Sequence, residues 1–243
     1  MHNILNQTRL PRLEILQNQW FILCIAAGVI AIVVFALIVI ILRRRKSKKI
    51  VNVNLTDTKE PSDKMPEEHH KFIAERIIRT GKKYKSILFT SAEPGSLPIT
   101  IPINVSIALA KNKKRCLLID LDTSRDAIAE AFELDTGTDI LRPKSVQTKI
   151  ENLWVLPGHN FAQLKQMNIK AISQNARKRF DFIIINSPSL LSNPDRRQII
   201  SAAQAAFICT KGASEATKLT KLIKPLRCAV IGNIQIPQGN SQQ

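Results

Sequence analysis

The hydrophobic positions of this chain form one long uninterrupted run and a series of short ones. The long run, residues 20–42, contains 23 residues without a charge, and about 20 apolar residues are enough for a helix to cross a bilayer. We therefore predict a transmembrane helix there. Six basic residues lie directly after it, at 43–49 (RRRKSKK), and only Arg9 and Arg12 precede it. This asymmetry predicts that the C-terminal side faces the cytoplasm.

The rest of the chain is expected to divide around this helix. Residues 1–19 form a short outer tail, and residues 43–65 form a basic flank and a polar, proline-containing linker. A cytoplasmic domain then covers residues 66–235, and residues 236–243 form a tail. The domain opens with a helix that has two glutamates in its first turn and apolar residues on one face. His69 and His70 fall in that polar first turn, where we expect them to be solvated.

Six short apolar runs follow and have the length of strands. Their hydrophobicity is continuous rather than alternating, which indicates strands that are covered on both faces. The stretches between them are long enough for helices, so we predict an α/β fold with a doubly wound, mainly parallel sheet. Ligands of such sheets bind beyond the carboxyl ends of the strands, here after Thr90, Leu121 and Ile185. The runs are Ser86–Thr90, Cys116–Leu121, Leu153–Leu156, Phe182–Ile185, Ala205–Cys209 and Cys228–Ile231.

Composition narrows the choice of partner. The chain has 36 lysines and arginines against 19 acids, a net charge of +17, which favours nucleic acid or an anionic membrane surface. With one tyrosine, two tryptophans and no nucleic-acid-binding motif, we expect no nucleic acid partner. Anionic lipid headgroups are the expected counterpart of the basic flank. The four cysteines stand alone in sequence, which argues against a disulfide framework or a zinc site.

Four segments resemble the ATPase domain of bacterial tyrosine kinases, the MinD-related group that partners polysaccharide copolymerases in capsule and exopolysaccharide export. They are SAEPGSLPIT at 91–100, LLIDLD at 117–122, NLWVLPG at 152–158 and FDFIIINSPSLLSNPD at 180–195. The resemblance covers about residues 66–235. It implies a P-loop NTPase-like fold and a single-pass protein of the bacterial inner membrane, with polysaccharide synthesis, export or copolymerase proteins as partners.

The family's phosphate-binding loop reads Glu-Pro-Gly-Glu-Gly-Lys-Ser-Thr, and this chain departs from it at its centre. A P-loop needs backbone N–H groups around the phosphate, a lysine and a hydroxyl that binds magnesium. Leucine, proline and isoleucine replace the Gly-Lys-Ser core and supply neither the lysine nor the hydroxyl. We expect the following helix to begin late, with Thr100 as its N-cap. The degenerate loop consists of Glu93, Pro94, Gly95, Ser96, Leu97, Pro98, Ile99 and Thr100.

The metal-binding positions are also changed. Asn186 stands where the resemblance implies a magnesium-binding aspartate, and an amide oxygen is a weaker ligand for a hard divalent ion than a carboxylate. Asp120 and Asp122 match the family's Asp-x-Asp and are the residual candidates for catalysis and for metal binding. Alternatively, they cap the next helix. We expect no cofactor, or only weak binding of ATP and magnesium.

Two further family features bear on assembly. Autophosphorylating members carry a tyrosine cluster at the C-terminus, whereas the only tyrosine of this chain is Tyr84. The family's Glu-x-x-Arg-x-x-Arg helix, which packs subunits into a ring, is retained only in its arginines, Arg76 and Arg79. These two residues are the candidate contacts of a homo- or hetero-oligomer.

Three functions follow from these observations. The leading hypothesis is a catalytically inactive, membrane-tethered relative of the tyrosine autokinases that acts as a scaffold or regulator in polysaccharide synthesis or export. The second is an atypical ATPase or protein tyrosine kinase that recruits a lysine such as Lys82 or Lys83, or one from a neighbouring subunit. The third is a MinD- or ParA-like positioning protein at the membrane.

Overall fold

The computed structural model describes residues 51–54, 67–123, 127–134, 144–158 and 167–236. The predicted transmembrane helix at 20–42, the outer tail at 1–19, the basic flank and the tail from 237 onward lie outside these residues. Among the helices that the structure describes, none has the length and apolar character needed to cross a bilayer.

Helices and strands alternate along the domain. The strands are β1 (Val51–Asn54), β2 (Ser86–Ser91), β3 (Cys116–Asp120), β4 (Val146–Gln147), β5 (Leu153–Leu156), β6 (Phe182–Asn186), β7 (Ala205–Thr210) and β8 (Ala229–Gln235). The helices are α1 (Glu67–Thr80), α2 (Thr100–Lys111), α3 (Ala127–Ala131), α4 (Ile169–Ala176), α5 (Arg196–Ala202) and α6 (Ala213–Ile223), and a 3₁₀ turn, Lys224–Leu226, follows α6.

The strands form one sheet in the order β1-β8-β7-β2-β6-β3-β5-β4. All neighbours are parallel except the short β4, which pairs antiparallel with β5. The chain runs from β2 to β3 and later inserts β6 between them. The carboxyl ends of β2, β6 and β3 therefore lie side by side, as expected for the ligand-binding edge of an α/β sheet.

The sheet is covered on both faces, as its continuous hydrophobicity predicts. Along β2, Ile87 and Phe89 contact a cluster that includes α1 and α2. Leu88, between them, points to the opposite cluster, which includes α4, α5 and α6. Every residue of β2, β3, β6 and β7 is buried. The doubly wound, mainly parallel α/β fold is thus confirmed.

All six predicted strands are present, within a few residues of their expected ends. The prediction missed two strands, both at the edges of the sheet. The sequence pattern predicts a linker at residues 51–54, but these residues pair in parallel with β8, Val51 opposite Gly232 and Asn54 opposite Gln235. The linker prediction was wrong at these residues, because a four-residue segment (VNVN) carries too little hydrophobic pattern to reveal that an open sheet edge is available to it.

Candidate functional site

The candidate site lies at the carboxyl edge, where β3 and β6 end side by side. Asp120 is the last residue of β3 and Asn186 the last residue of β6, and the two are paired in register. Asn186 is also opposite Phe89 of β2. The parallel pairing therefore brings together two of the residues singled out in sequence, although 66 positions separate them.

Asn186 and Asp120 are hydrogen-bonded to each other. The Asn186 side-chain amide donates to Asp120 Oδ1 over 2.8 Å, and the backbone N–H of Asp122 donates to the same oxygen over 3.0 Å. Asp120 is fully buried and Asn186 is 3% exposed. An amide that donates to a carboxylate turns its N–H group, rather than its oxygen, toward the acid. Asp120 Oδ1 therefore accepts two hydrogen bonds from the protein, one of them from the Asn186 amide.

Gly158 closes this corner from the loop after β5. A Cβ built at Gly158 would lie 3.4 Å from Asp120 Oδ2 and 3.4 Å from the carbonyl oxygen of Asp122. These are the shortest distances that ordinary van der Waals contact allows. Sequence reasoning had not singled out this residue, although it ends the NLWVLPG segment that carries part of the resemblance.

The loop between β2 and α2 begins with an exposed turn and then packs against the body of the domain. Its first turn is closed by Ser91 Oγ and Ser96 N, which both donate to the carbonyl oxygen of Glu93, over 2.9 and 3.2 Å. Gly95 sits in this turn with a φ of +74°, a conformation that glycine adopts without strain. Leu97 and Ile99, which occupy two of the three altered positions, pack against the hydrophobic cluster of α1 and α2.

The structure corrects the expected start of α2. Ile99, with helical backbone angles, is the cap residue, and Thr100 is the first residue of the helix. The N–H of Ile101 already donates to the Pro98 carbonyl over 3.0 Å, so helical geometry begins in the loop. Pro102 fits in the first turn because the N–H it lacks would have no partner within the helix. Among the described atoms, the buried Thr100 Oγ1 has no hydrogen-bond partner.

One lysine that sequence reasoning missed reaches this loop. Lys211 follows β7, whose carboxyl end lies beside that of β2, and its Nζ is 3.4 Å from Glu93 Oε2. Both side chains are about half exposed, so the ion pair itself contributes little stability. The predicted end of β7 at Cys209 could have indicated this position, since a residue directly after a central strand lies at the binding edge.

The lysines proposed for recruitment lie at the other end of the sheet. Lys82 and Lys83 precede β2, at its amino end, whereas the phosphate-loop position follows its carboxyl end. A six-residue strand spans about 17 Å. Within one subunit, therefore, neither lysine can replace the missing one, and that part of the second hypothesis was wrong.

The remaining candidates lie on α1. Arg79 pairs with Glu75 one turn earlier, Nη2 to Oε2 at 3.3 Å, and both side chains are exposed. Arg76 is half-buried on the same helix. The expectation of a solvated first turn was wrong for His70, which is only 3% exposed. Burial lowers the pKa of the His70 imidazole below its ordinary value, and the neighbouring His69 adds to this effect.

Comparison with known proteins identifies the family. No family profile matches the chain. It is similar to the tyrosine-protein kinase CpsD of Streptococcus pneumoniae serotype 4, with 31% identity over 170 residues that cover 64% of this chain and 74% of CpsD. The chain belongs to the bacterial tyrosine-protein kinase family.

Solved structures support the same fold. The chimerical protein CapA2B2 aligns with a TM-score of 0.61 and 19% identity, over 79% of this chain and 96% of that one. The septum site-determining protein MinD of Pyrococcus horikoshii, solved with Mg-ADP, aligns with a TM-score of 0.56 and 21% identity, over 65% of this chain and 72% of MinD. The P-loop NTPase-like, MinD-related fold is thus confirmed.

The residues at this family member's site do not fit a magnesium nucleotide. Leu97 and Ile99 are half-buried against the hydrophobic cluster, at positions where the resemblance implies glycine and a magnesium-binding hydroxyl. Pro98 has neither an N–H nor a charge. On the metal side, Asp120 accepts the Asn186 amide where the family places a second carboxylate. The phosphate-binding loop, the lysine that the loop normally carries and the second metal-binding acid are therefore all replaced at this edge of the sheet.

Proposed function

We propose that the chain is a non-catalytic member of the bacterial tyrosine kinase family, which acts as a scaffold or regulator in capsule or exopolysaccharide synthesis or export. Membership in the family supports the pathway, since the resemblance connects this group with polysaccharide copolymerases. The single observation that carries the loss of catalysis is the Asn186–Asp120 hydrogen bond. It places an amide donor on Asp120 Oδ1 where the resemblance implies a second metal-binding acid.

The packing of the loop supports the same conclusion. In this domain Leu97 and Ile99 contribute to the hydrophobic cluster that joins α1 and α2 to the sheet. Side chains committed to packing cannot at the same time leave the space that a close backbone approach to phosphate requires. The altered loop therefore contributes to the stability of the fold rather than to binding.

Titration calorimetry with ATP and magnesium tests this proposal. The full chain in detergent micelles is compared with the pneumococcal CpsD kinase as the positive control. We expect no heat of binding from the chain at ATP concentrations that saturate CpsD. Binding with a Kd below about 100 µM, roughly −5.5 kcal/mol, would contradict the proposal.

Lys211 gives specific support to a second candidate, an atypical ATPase or tyrosine kinase. Its ammonium group lies beside the loop in the single chain, so a cation is present at the edge where the phosphate-loop lysine is missing. Under this alternative, ATP turnover would be measurable and would disappear in both Lys211→Ala and Asp120→Ala variants. Under the leading proposal, the unmodified chain shows no turnover above a protein-free blank.

We also propose that residues 20–42 anchor the chain in the bacterial inner membrane with the kinase-like domain in the cytoplasm. The support is the uncharged run and the basic residues that follow it. Extraction of membranes with alkaline carbonate tests the anchor, because an integral protein stays in the pellet. Release of the chain into the supernatant would contradict it.

A further inference from the structure

The turns at the amino edge of the sheet are unusually basic. Four of them, at 81–85, 112–115, 177–181 and 224–228, contain eleven lysines and arginines and a single acid, Asp181. They connect α1 to β2, α2 to β3, α4 to β6 and α6 to β8. Because these strands are parallel, all four turns lie at one edge of the domain. We call this set of turns the basic edge.

The opposite edge has a different charge. The loops that the structure describes there, at 92–99, 121–123, 157–158, 187–195 and 211–212, contain Lys211 as their only basic residue and three acids. Even with Arg196 and Arg197 of the first turn of α5 counted at this edge, the described turns are more basic at the amino end of the strands than at the carboxyl end. Such a polarised field orients a protein toward an anionic surface.

Local stabilisation explains only a small part of this charge. A basic residue in the last turn of a helix interacts favourably with the helix dipole, and Arg79 and Lys111 fill that role in α1 and α2. The basic edge comes in addition to them. Among its residues, Arg115 is paired with Asp181, 3.7 Å from Nη2 to Oδ1, whereas Lys82 and Lys178 are exposed and belong to none of the ion pairs found between described residues.

The path of the chain indicates which anionic surface faces this edge. β1 runs parallel to β8, so the chain enters the sheet from the side of the amino edge, at Val51 opposite Gly232. Only residues 43–50 separate Val51 from the end of the uncharged run at residue 42, and eight residues extend over at most about 28 Å. Six of these residues are basic themselves.

We propose that the basic edge binds the anionic headgroup surface of the membrane and holds the carboxyl edge away from it. This inference rests on the proposed membrane anchor and adds the orientation of the domain. Each exposed lysine or arginine near such a surface strengthens binding about fivefold, equivalent to about 1 kcal/mol. The attraction weakens with salt because the Debye length falls to about 3 Å at 1 M.

Energy transfer from the full chain to headgroup-labelled lipid measures this orientation. One donor is placed at Asn175→Cys, at the amino edge, and another at Ser214→Cys, at the carboxyl edge, in a Cys24→Ser background. Both positions are exposed and uncharged, and the cysteines that the structure describes are all buried. The chain is reconstituted in vesicles of phosphatidylcholine alone or with 30% phosphatidylglycerol.

We expect transfer from position 175 to exceed transfer from position 214, to rise with phosphatidylglycerol and to fall in 0.5 M salt. The double variant Lys82→Gln, Lys178→Gln removes two positive charges from the basic edge. It lowers the ratio of membrane-docked to undocked domain roughly 30-fold, about 1 kcal/mol per residue. The matched control, Lys170→Gln with Lys218→Gln, removes the same charge from exposed positions outside the basic edge and leaves the ratio unchanged.

Three results would overturn the proposal. The first is equal transfer from both positions, and the second is an equal effect of the two double variants. The third is energy transfer from position 175 that changes when duplex DNA is added to neutral vesicles but not when phosphatidylglycerol is included. That result would mean that the basic edge binds nucleic acid. Carbonate extraction tests the membrane anchor separately, and calorimetry tests nucleotide binding separately.

Discussion

Replacing Asn186 with aspartate turns the hydrogen-bonded pair at the sheet edge into two buried acids. The Asn186 amide lies 2.8 Å from Asp120 Oδ1, and both residues are at least 97% buried. The substitution removes a hydrogen bond to a charged group, worth about 1.5–3 kcal/mol. It also places two like charges about 4 Å apart, which costs about 4 kcal/mol at an effective dielectric constant of 20.

The two costs are not fully additive, since one carboxyl group of such a pair escapes the repulsion by holding a proton. We therefore expect Asn186→Asp to lose about 4 kcal/mol of unfolding free energy at pH 8 and less at pH 5, where protonation is easier. For a domain of this size the loss at pH 8 corresponds to a decrease of roughly 10 °C in Tm. Millimolar magnesium restores part of it, because a cation can bridge two carboxylates.

Thermal unfolding of the full chain in detergent micelles, followed by circular dichroism, measures these effects with and without magnesium. The matched control is Asn168→Asp. Asn168 is exposed and caps α4 by accepting from the Ala171 N–H over 2.9 Å, and aspartate performs that role equally well at a helix N-terminus. Its Tm should change little.

Two results would refute the reasoning. A Tm for Asn186→Asp equal to that of the native chain at pH 8, without magnesium, would mean that the two side chains are not held together in a buried pair. A magnesium-dependent rise in the Tm of the native chain would mean that its Asn186–Asp120 pair already binds the metal, and the proposed loss of catalysis would fail with it.

Three further predictions concern the body of the domain. Because burial lowers the pKa of His70, the unfolded state binds protons more readily, so the unfolding free energy falls as the pH drops below about 6.5. In urea unfolding, the His70→Leu variant should lose less unfolding free energy between pH 7 and pH 5 than the native chain does. An equal loss in both proteins would contradict this role of His70. A Cβ at Gly232 would lie 2.2 Å from the Phe207 ring, so Gly232→Ala should cost roughly 1–3 kcal/mol in unfolding free energy. Gly212 has open space around it, so the control Gly212→Ala should cost under about 1 kcal/mol. Equal losses in the two variants would contradict the close packing of Gly232 against Phe207. Burial raises the pKa of Cys116 to about 12, so mass spectrometry should find this thiol unmodified by a maleimide until the domain unfolds, and rapid labelling in the native state would contradict its burial.

The sequence alone was enough to indicate the family and the fold. It was also enough to show that the phosphate loop lacks its usual groups, because those groups belong to single residues at known positions. Leucine, proline and isoleucine at 97–99 lack the required groups in any conformation, so the altered phosphate loop could be recognised without coordinates. Likewise, a strand buried on both faces is apolar along most of its length, and this made the runs at 116–121 and 182–185 recognisable.

The tertiary structure decided what depends on contacts between distant parts of the chain. The pairing of β3 with β6 brings the Asn186 amide to Asp120, to which it donates, and the adjacency of β2 and β7 brings Lys211 to Glu93. The burial of His70 and the pairing of Val51–Asn54 with β8 also depend on neighbours far away in sequence. Chemical groups are encoded residue by residue, whereas distances between them arise from packing of the whole domain, so the sequence determined which groups are missing and the fold determined what replaces them.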